Sequence, residues 1–146
     1  MSDSTHIPTH YHLVGDIGGT NARFAFVPPG AHRPTALAKY LVADFSCFDD
    51  VMARLLADWR QLGLPEAGPD KTCFAVAAPP HLDTISFTNS PWRFDRALLE
   101  RHLQRSSITI INDFAAVARA LPALTDSDVE QIGVGTSSAG APMVAI

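Results

Sequence analysis

The segment Asp16-Ile17-Gly18-Gly19-Thr20-Asn21, with Arg23 shortly after it, holds residue types that can grip a phosphate. Two adjacent glycines let the backbone approach an anion closely and aim successive N–H groups at it. Thr20 adds a hydroxyl donor, and Asp16 offers a hard oxygen for Mg²⁺ or a metal-bound water. Arg23 is a cation on the same turn, unless strand alternation points it to solvent. The same string also reads as a ligand-free Gly-Gly hairpin turn. It is neither a GxxxxGK[ST] loop nor GxGxxG, so the usual nucleotide fingerprints do not apply.

A second pair, Asn112-Asp113, follows the β-branched run SITIIN (107–112). In α/β sheets ligands collect beyond the carboxyl ends of strands, where helices begin. A carboxylate there can take a proton from an alcohol, and a neighbouring amide can fix the alcohol's geometry. One of the two can equally N-cap the following helix, and both roles can hold at once. A third group, Thr88, Asn89 and Trp92, offers amide, hydroxyl and flat apolar surfaces of the kind that face sugars. Taken alone, it also reads as a turn beside a core tryptophan.

These residues need strands and helices to hold them. Residues 11–27 read as two apolar strands split by the Gly-Gly-Thr-Asn turn, and 36–43 alternates as a third strand. Ser46 followed by Asp49 is a capping-box-like start. Val51, Leu55, Leu56, Trp59 and Leu62 then recur at helical spacing, which predicts a helix over 47–62 ended by Gly63 and Pro65. KTCFAVAA (71–78) predicts a buried strand, TISFTN (84–89) another, and Asp95 caps a helix carrying Leu98, Leu99, His102 and Leu103. After strand 107–112, FAAVARAL is helical until Pro122. TDSDVEQI (125–132) predicts a short helical piece, GVGTSSAGAP a flexible linker, and the final MVAI the first half of a buried strand. Strands alternating with helices, opened by a hairpin, define an α/β class with a mixed sheet and flanking helices.

Composition narrows the functions. The 146 residues carry 11 Lys+Arg against 15 Asp+Glu, 47% hydrophobic residues and 2 Cys. That length suits one domain with a core that folds without staples. A net charge of −4 gives no electrostatic case for a nucleic-acid partner. No apolar run reaches the roughly 18 residues of a membrane span, and the first residues lack a signal-peptide pattern. Cys47 and Cys73 are isolated and read as reduced, partly buried thiols of a cytoplasmic protein. His6, His10 and His12 lack acidic or Cys partners for a metal site, so the leader reads as a solvated tail.

Taken together and in order, LVGDIGGTNARFAFV (13–27), FAVAAPP (74–80), FTNSPWRFD (87–95) and TIINDFAAVARALPAL (109–124) resemble the bacterial glucokinase family. The combination of DxGGTNxR, TNxxW and NDFxAxAxA is far more specific than any one piece. The resemblance implies a lobe of the ribonuclease H-like, actin-like ATPase fold, whose sugar-kinase members close two lobes over ATP. It implies glucose as the substrate and ATP with Mg²⁺ as the phosphoryl donor. Asp16, Gly18, Gly19, Thr20 and Asn21 match the first phosphate loop, with Asp16 near Mg²⁺, through water. Asp113 matches the catalytic base for the sugar's 6-hydroxyl, and Asn112 a residue that hydrogen-bonds the sugar. Thr88 and Asn89 fall in the substrate loop.

The resemblance also sets expectations of organisation. Residues 1–12 are a disordered leader, 13–124 the small N-terminal lobe, and 125–146 a crossover linker and the start of a C-terminal lobe missing from the sequence. On this reading the chain is an N-terminal fragment with little or no turnover of its own, and a full-length form leaves room for a homodimer. The alternatives are a non-catalytic, sugar-responsive or interaction module built from a kinase lobe, and a kinase for another hexose. One departure stands out: His81, Leu82 and Asp83 occupy a position where the family usually has a Gly-containing turn.

Overall fold

The computed structural model describes residues 10–144 except 88, 105 and 137. Its centre is a five-stranded sheet. Strands β1 (His12–Ile17), β2 (Asn21–Val27) and β3 (Ala36–Leu41) form an antiparallel meander, and β4 (Lys71–Val76) and β7 (Ser107–Asn112) extend it. The order is β3-β2-β1-β4-β7, with β1, β4 and β7 mutually parallel. The short strands β5 (Thr84–Ser86) and β6 (Arg93–Asp95) pair antiparallel as a separate ribbon. The mixed α/β sheet opened by a hairpin is therefore present as the sequence implies.

Helix α1 (Phe48–Gln61) crosses from β3 to β4, and α2 (Arg96–Leu103) crosses from the ribbon to β7. Alternation sends Leu13 and Ile17 of β1, Ala22 and Phe24 of β2, and Phe74 and Val76 of β4 to the face these helices cover. Helix α1 answers with Phe48, Val51, Met52, Leu55 and Trp59, all buried. The Phe48 ring stacks on Phe94 of the ribbon at 4.2 Å and meets Phe74 edge-on at 6.3 Å, tying sheet, helix and ribbon into one core. Gly63, at φ +83°, ends α1, with the Leu64 N–H returning to the Trp59 carbonyl at 3.1 Å.

Among the described residues the opposite face is covered at one end, by α3 (Asp113–Ala120). Val14, Ala25, Cys73, Ala75, Ile111 and Ala116 line an open hollow there of about 490 Å³. Burial raises the Cys73 thiol above its ordinary pKa, against a smaller opposing effect of the Arg119 charge.

The structure corrects several expectations. Order begins inside the expected leader, since Tyr11 is buried in the core and His12 opens β1. His6 lies outside the described residues, and the His10 imidazole pairs with Asp70 at 3.1 Å. Ser46 does not form the capping box with Asp49. Its hydroxyl bonds Asp50 instead, and Cys47 is the N-cap without a side-chain capping bond. The 84–89 strand stops at Ser86, because the chain must turn to bring β6 back against it.

No helix forms over 125–132. The Asp128 carboxylate accepts from the Thr125 N–H at 2.9 Å and its hydroxyl at 2.7 Å, closing a local turn that competes with helix. Arg33 also reaches Asp128 at 2.8 Å, and its hydrogen bond, with those from Thr125, holds that carboxyl well below the usual range. Met143 and Val144 lie exposed and outside any strand, while 145 and 146 are outside the described residues.

Candidate functional site

The register of the three parallel strands places the site. Ile17 stands level with Val76, and Val76 with Asn112. The Gly-Gly-Thr turn, the loop from Ala77 and the start of α3 therefore leave the sheet at the same edge. With strands about 4.8 Å apart, Ile17 and Asn112 are about 10 Å apart across β4. That span suits a phosphoryl group between a phosphate-holding turn and an attacking hydroxyl.

Each side chain there has a local reason for its place. The turn between β1 and β2 is braced by the Gly18 N–H, which donates to the Asn21 carbonyl at 3.0 Å. It is braced again by the Val42 N–H, which donates to the Thr20 carbonyl at 2.9 Å. The Gly18 donor is therefore spent within the turn. The Gly19 and Thr20 N–H groups have no acceptor among the described residues and remain free for an anion.

Asp16 and Arg23 face each other in the hairpin register and join at 2.8 Å, both about half exposed. Alternation points both toward the α3 face, so Arg23 neutralises Asp16 before it can serve the turn. Asn21 begins β2, and its side-chain oxygen is buried without a hydrogen-bond partner among the described residues. Sequence reasoning did not anticipate either feature. The hairpin register is the signal that finds the Asp16–Arg23 pair once the turn length is known.

Asn112 and Asp113 divide their roles. Asn112 caps α3, its side-chain oxygen accepting from the Phe114 N–H at 3.1 Å and the Ala115 N–H at 3.3 Å. Its amide N–H₂ finds no acceptor among the described residues. Asp113 is the first residue of α3, half-buried, with one carboxylate oxygen accepting from the Phe114 N–H at 2.9 Å. The other oxygen has no such partner among the described residues. The carboxylate is thus fixed by its helix yet retains a free basic atom.

The third group splits. Thr88 lies outside the described residues. Asn89 is exposed and packs against the turn at Gly19. Trp92 does not offer its face to a ligand: it is 1% exposed, meets Phe48 edge-on at 5.7 Å, and donates its indole N–H to the Phe45 carbonyl at 3.1 Å. Its large apolar area is better satisfied in the core, where the one polar atom finds a partner. The His81-Leu82-Asp83 departure is accommodated without strain, since among residues 77–83 none takes a positive φ.

No group of three or more His, Cys, Asp or Glu side chains among the described residues is arranged to hold a metal. Mg²⁺ needs few protein ligands, since it keeps several waters and takes much of its coordination from phosphates; Asp16 is the carboxylate nearest the turn in sequence, and it is paired with Arg23. No helix among the described residues is long and apolar enough to cross a membrane.

The mixed sheet is that of the actin-like, sugar-kinase fold. Among solved structures, the glucokinase of an Antarctic psychrotroph matches with a TM-score of 0.72 and 28% identity, over 88% of this chain and 40% of that one. The Balamuthia mandrillaris glucokinase, determined in complex with glucose, shares the fold at a TM-score of 0.53 and 22% identity, over 78% of this chain and 33% of that one. The family model described as Glucokinase matches residues 13–146, and the chain belongs to that family. The glucokinase of Marinobacter nauticus is 35% identical over 133 residues, 91% of this chain and 40% of that protein. The chain thus spans about 40% of the length of the curated relatives it matches.

Proposed function

We propose that the chain forms one wall of the active site of an ATP-dependent glucose kinase. The turn at Gly18, Gly19 and Thr20 receives the nucleotide's phosphates, and Asp113 acts on the sugar's 6-hydroxyl. The observation that carries this reading is the level row Ile17–Val76–Asn112, which sets turn and carboxylate at one sheet edge. Glucose as the hexose is supported by the family and by the sugar present in the Balamuthia relative.

The chemistry follows from positioning and charge. The free oxygen of Asp113 takes the hydroxyl proton as the sugar oxygen bonds to the γ-phosphorus and the bridging bond to ADP breaks. The unpaired amide N–H₂ of Asn112 donates to a neighbouring sugar hydroxyl, and Asn89, with Thr88, borders the sugar. The free N–H groups of Gly19 and Thr20 hold phosphate oxygens, and the Asn21 side chain backs that turn. Asp16 would hold a water of Mg²⁺ on exchanging its Arg23 partner, and the metal would supply neutralisation of phosphate charge. Such a reaction belongs in the cytoplasm, where ATP is available.

The chain alone encloses neither substrate, so by itself it shows little or no turnover. The test grafts residues 13–146 in place of the matching segment of a full-length glucokinase and follows glucose 6-phosphate in a coupled assay. Activity of the graft is expected, as is its loss by ~10²-fold or more in Asp113→Asn, with the circular dichroism spectrum unchanged. A graft that keeps its rate without the Asp113 carboxylate refutes the assigned base.

A further inference from the structure

A methyl group built on Gly19 would lie 3.3 Å from the Asn89 Cβ and 3.6 Å from the Asn89 carbonyl oxygen. One built on Gly18 would meet, among the described residues, only the Asn21 carbonyl oxygen, at 3.6 Å. Neither glycine takes a positive φ, so backbone conformation requires glycine at neither position. What Gly19 supplies is room for Asn89.

Both segments are braced. The loop carrying Asn89 is pinned at its ends by Phe87, 7% exposed, and Trp92, 1% exposed. The Trp92 N–H adds a bond to the Ser90 hydroxyl at 3.1 Å, and its indole N–H reaches Phe45. The turn is held by Gly18–Asn21 and by Val42–Thr20. A side chain on Gly19 would approach the Asn89 Cβ more closely than an ordinary van der Waals contact, so one of the two segments would have to give by a few tenths of an ångström.

Resting on the reading of 18–20 as a phosphate turn and of Asn89 as part of the sugar loop, we propose that Gly19 is a positioning residue for the sugar. Its bare α-carbon sets where Asn89 sits, and an anion drawn into the turn is felt at Asn89. The consequence differs from that of a glycine serving phosphate alone. Gly19→Ala keeps every N–H donor of the turn, yet displaces Asn89 by a few tenths of an ångström. Loss of one hydrogen bond from the displaced Asn89 to the sugar weakens sugar binding roughly three- to tenfold.

The test compares amide spectra of the full-length graft carrying ¹⁵N-labelled residues 13–146 as wild type, Gly19→Ala and Gly18→Ala, each titrated with MgATP and with glucose. Without ligand, Gly19→Ala is expected to move the signals of Asn89, Ser90 and Trp92, while Gly18→Ala moves those of the turn. In the wild type, MgATP moves the Asn89 signal together with those of Gly18 to Asn21, and glucose binds three- to tenfold more weakly in Gly19→Ala. Unmoved loop signals in ligand-free Gly19→Ala overturn the proposal, as does an unchanged glucose dissociation constant or a MgATP response confined to the turn. MgATP that moves no turn signal instead refutes the phosphate reading, while the ligand-free comparison still decides the contact. Glucose that moves no Asn89 signal in the wild type removes the sugar assignment of that loop and the positioning role with it.

Discussion

Asn112 is asked to do two things, and substitution can separate them. Its side-chain oxygen accepts from two backbone N–H groups at the start of α3, and the next residue is the proposed base. Asn112→Ala removes that acceptor, and loss of an N-cap costs about 1 kcal/mol. In most helices this would be spread over tertiary packing. Here it is not, because α3 is eight residues long with no buried residue, and a helix that short is marginal on its own. The cost should therefore appear as local fraying. At about 1 kcal/mol, amide exchange at Val117 and Arg119 should rise roughly fivefold. Exchange at Phe74, in the middle of the sheet, should stay as in the wild type.

Asn112→Asp keeps an acceptor oxygen in the same place and adds negative charge at a helix N-terminus, a favourable position worth about 0.3–1 kcal/mol. Its α3 exchange should match the wild type or be slower, although the amide donor proposed for the sugar is gone. The assay is native-state hydrogen exchange by NMR, run beside the graft's steady-state kinetics. The expected pattern is Asn112→Ala losing α3 protection and turnover, and Asn112→Asp losing sugar affinity with α3 intact. Exchange at α3 that changes less than twofold in Asn112→Ala would show that the cap does not hold Asp113. Equal behaviour of the two variants would show that the amide has no separate role.

Two further outcomes test the fold beneath the site. Gly15→Ala places a methyl 2.7 Å from one Phe74 ring carbon and 3.0 Å from a Phe24 ring carbon, so both rings must shift; overpacking of this kind costs about 1–3 kcal/mol, and an unchanged urea midpoint would contradict it. Both tyrosines of the chain have raised pKa values, Tyr11 through burial and Tyr40 through burial and its 2.9 Å hydrogen bond to Asp58. Absorbance at 295 nm should therefore show less than half the phenolate expected at pH 10 while the chain is folded. Because the unfolded tyrosines release their protons first, this contribution to stability is complete below about pH 10 and declines above it. Half-ionised tyrosine at pH 10 in the folded chain would refute the burial argument.

What the sequence makes legible follows from how local each signal is. The α1 spacing, the hairpin around Gly18-Gly19, the Asp95 cap and the strand at 107–112 all rest on neighbours within a few residues, and all appear. Strand β6 is only Arg93–Asp95 and exists because Phe94 packs on Phe48, a contact invisible to periodicity. The 125–132 segment has helical composition, but Thr125 and Asp128 satisfy each other locally and Arg33 holds them from far along the chain. Trp92 follows the same rule: its type admits a sugar platform or a core residue, and only the Phe45 carbonyl and the Phe48 ring decide. The site residues are legible as types; their division of labour, such as Asn112 spending its oxygen on α3, is not.

How pieces about a hundred residues apart reach one edge is itself a matter of register, and Gly15 fixes it. In the sheet, Gly15 stands level with Phe24 on one side and Phe74 on the other. The two rings meet edge-on at 5.8 Å over its bare α-carbon. A slip of β1 by one residue would turn Asp16 into the core and Ile17 out of it. A slip by two would preserve the faces but bring Leu13 or Ile17 to the place where the rings leave no room for any side chain. Both errors are thus penalised by packing. The surviving register pairs Asp16 with Arg23 and sets Ile17, Val76 and Asn112 in one row. The phosphate turn and the Asn112-Asp113 corner are therefore placed by a contact in the middle of the sheet that neither of them touches.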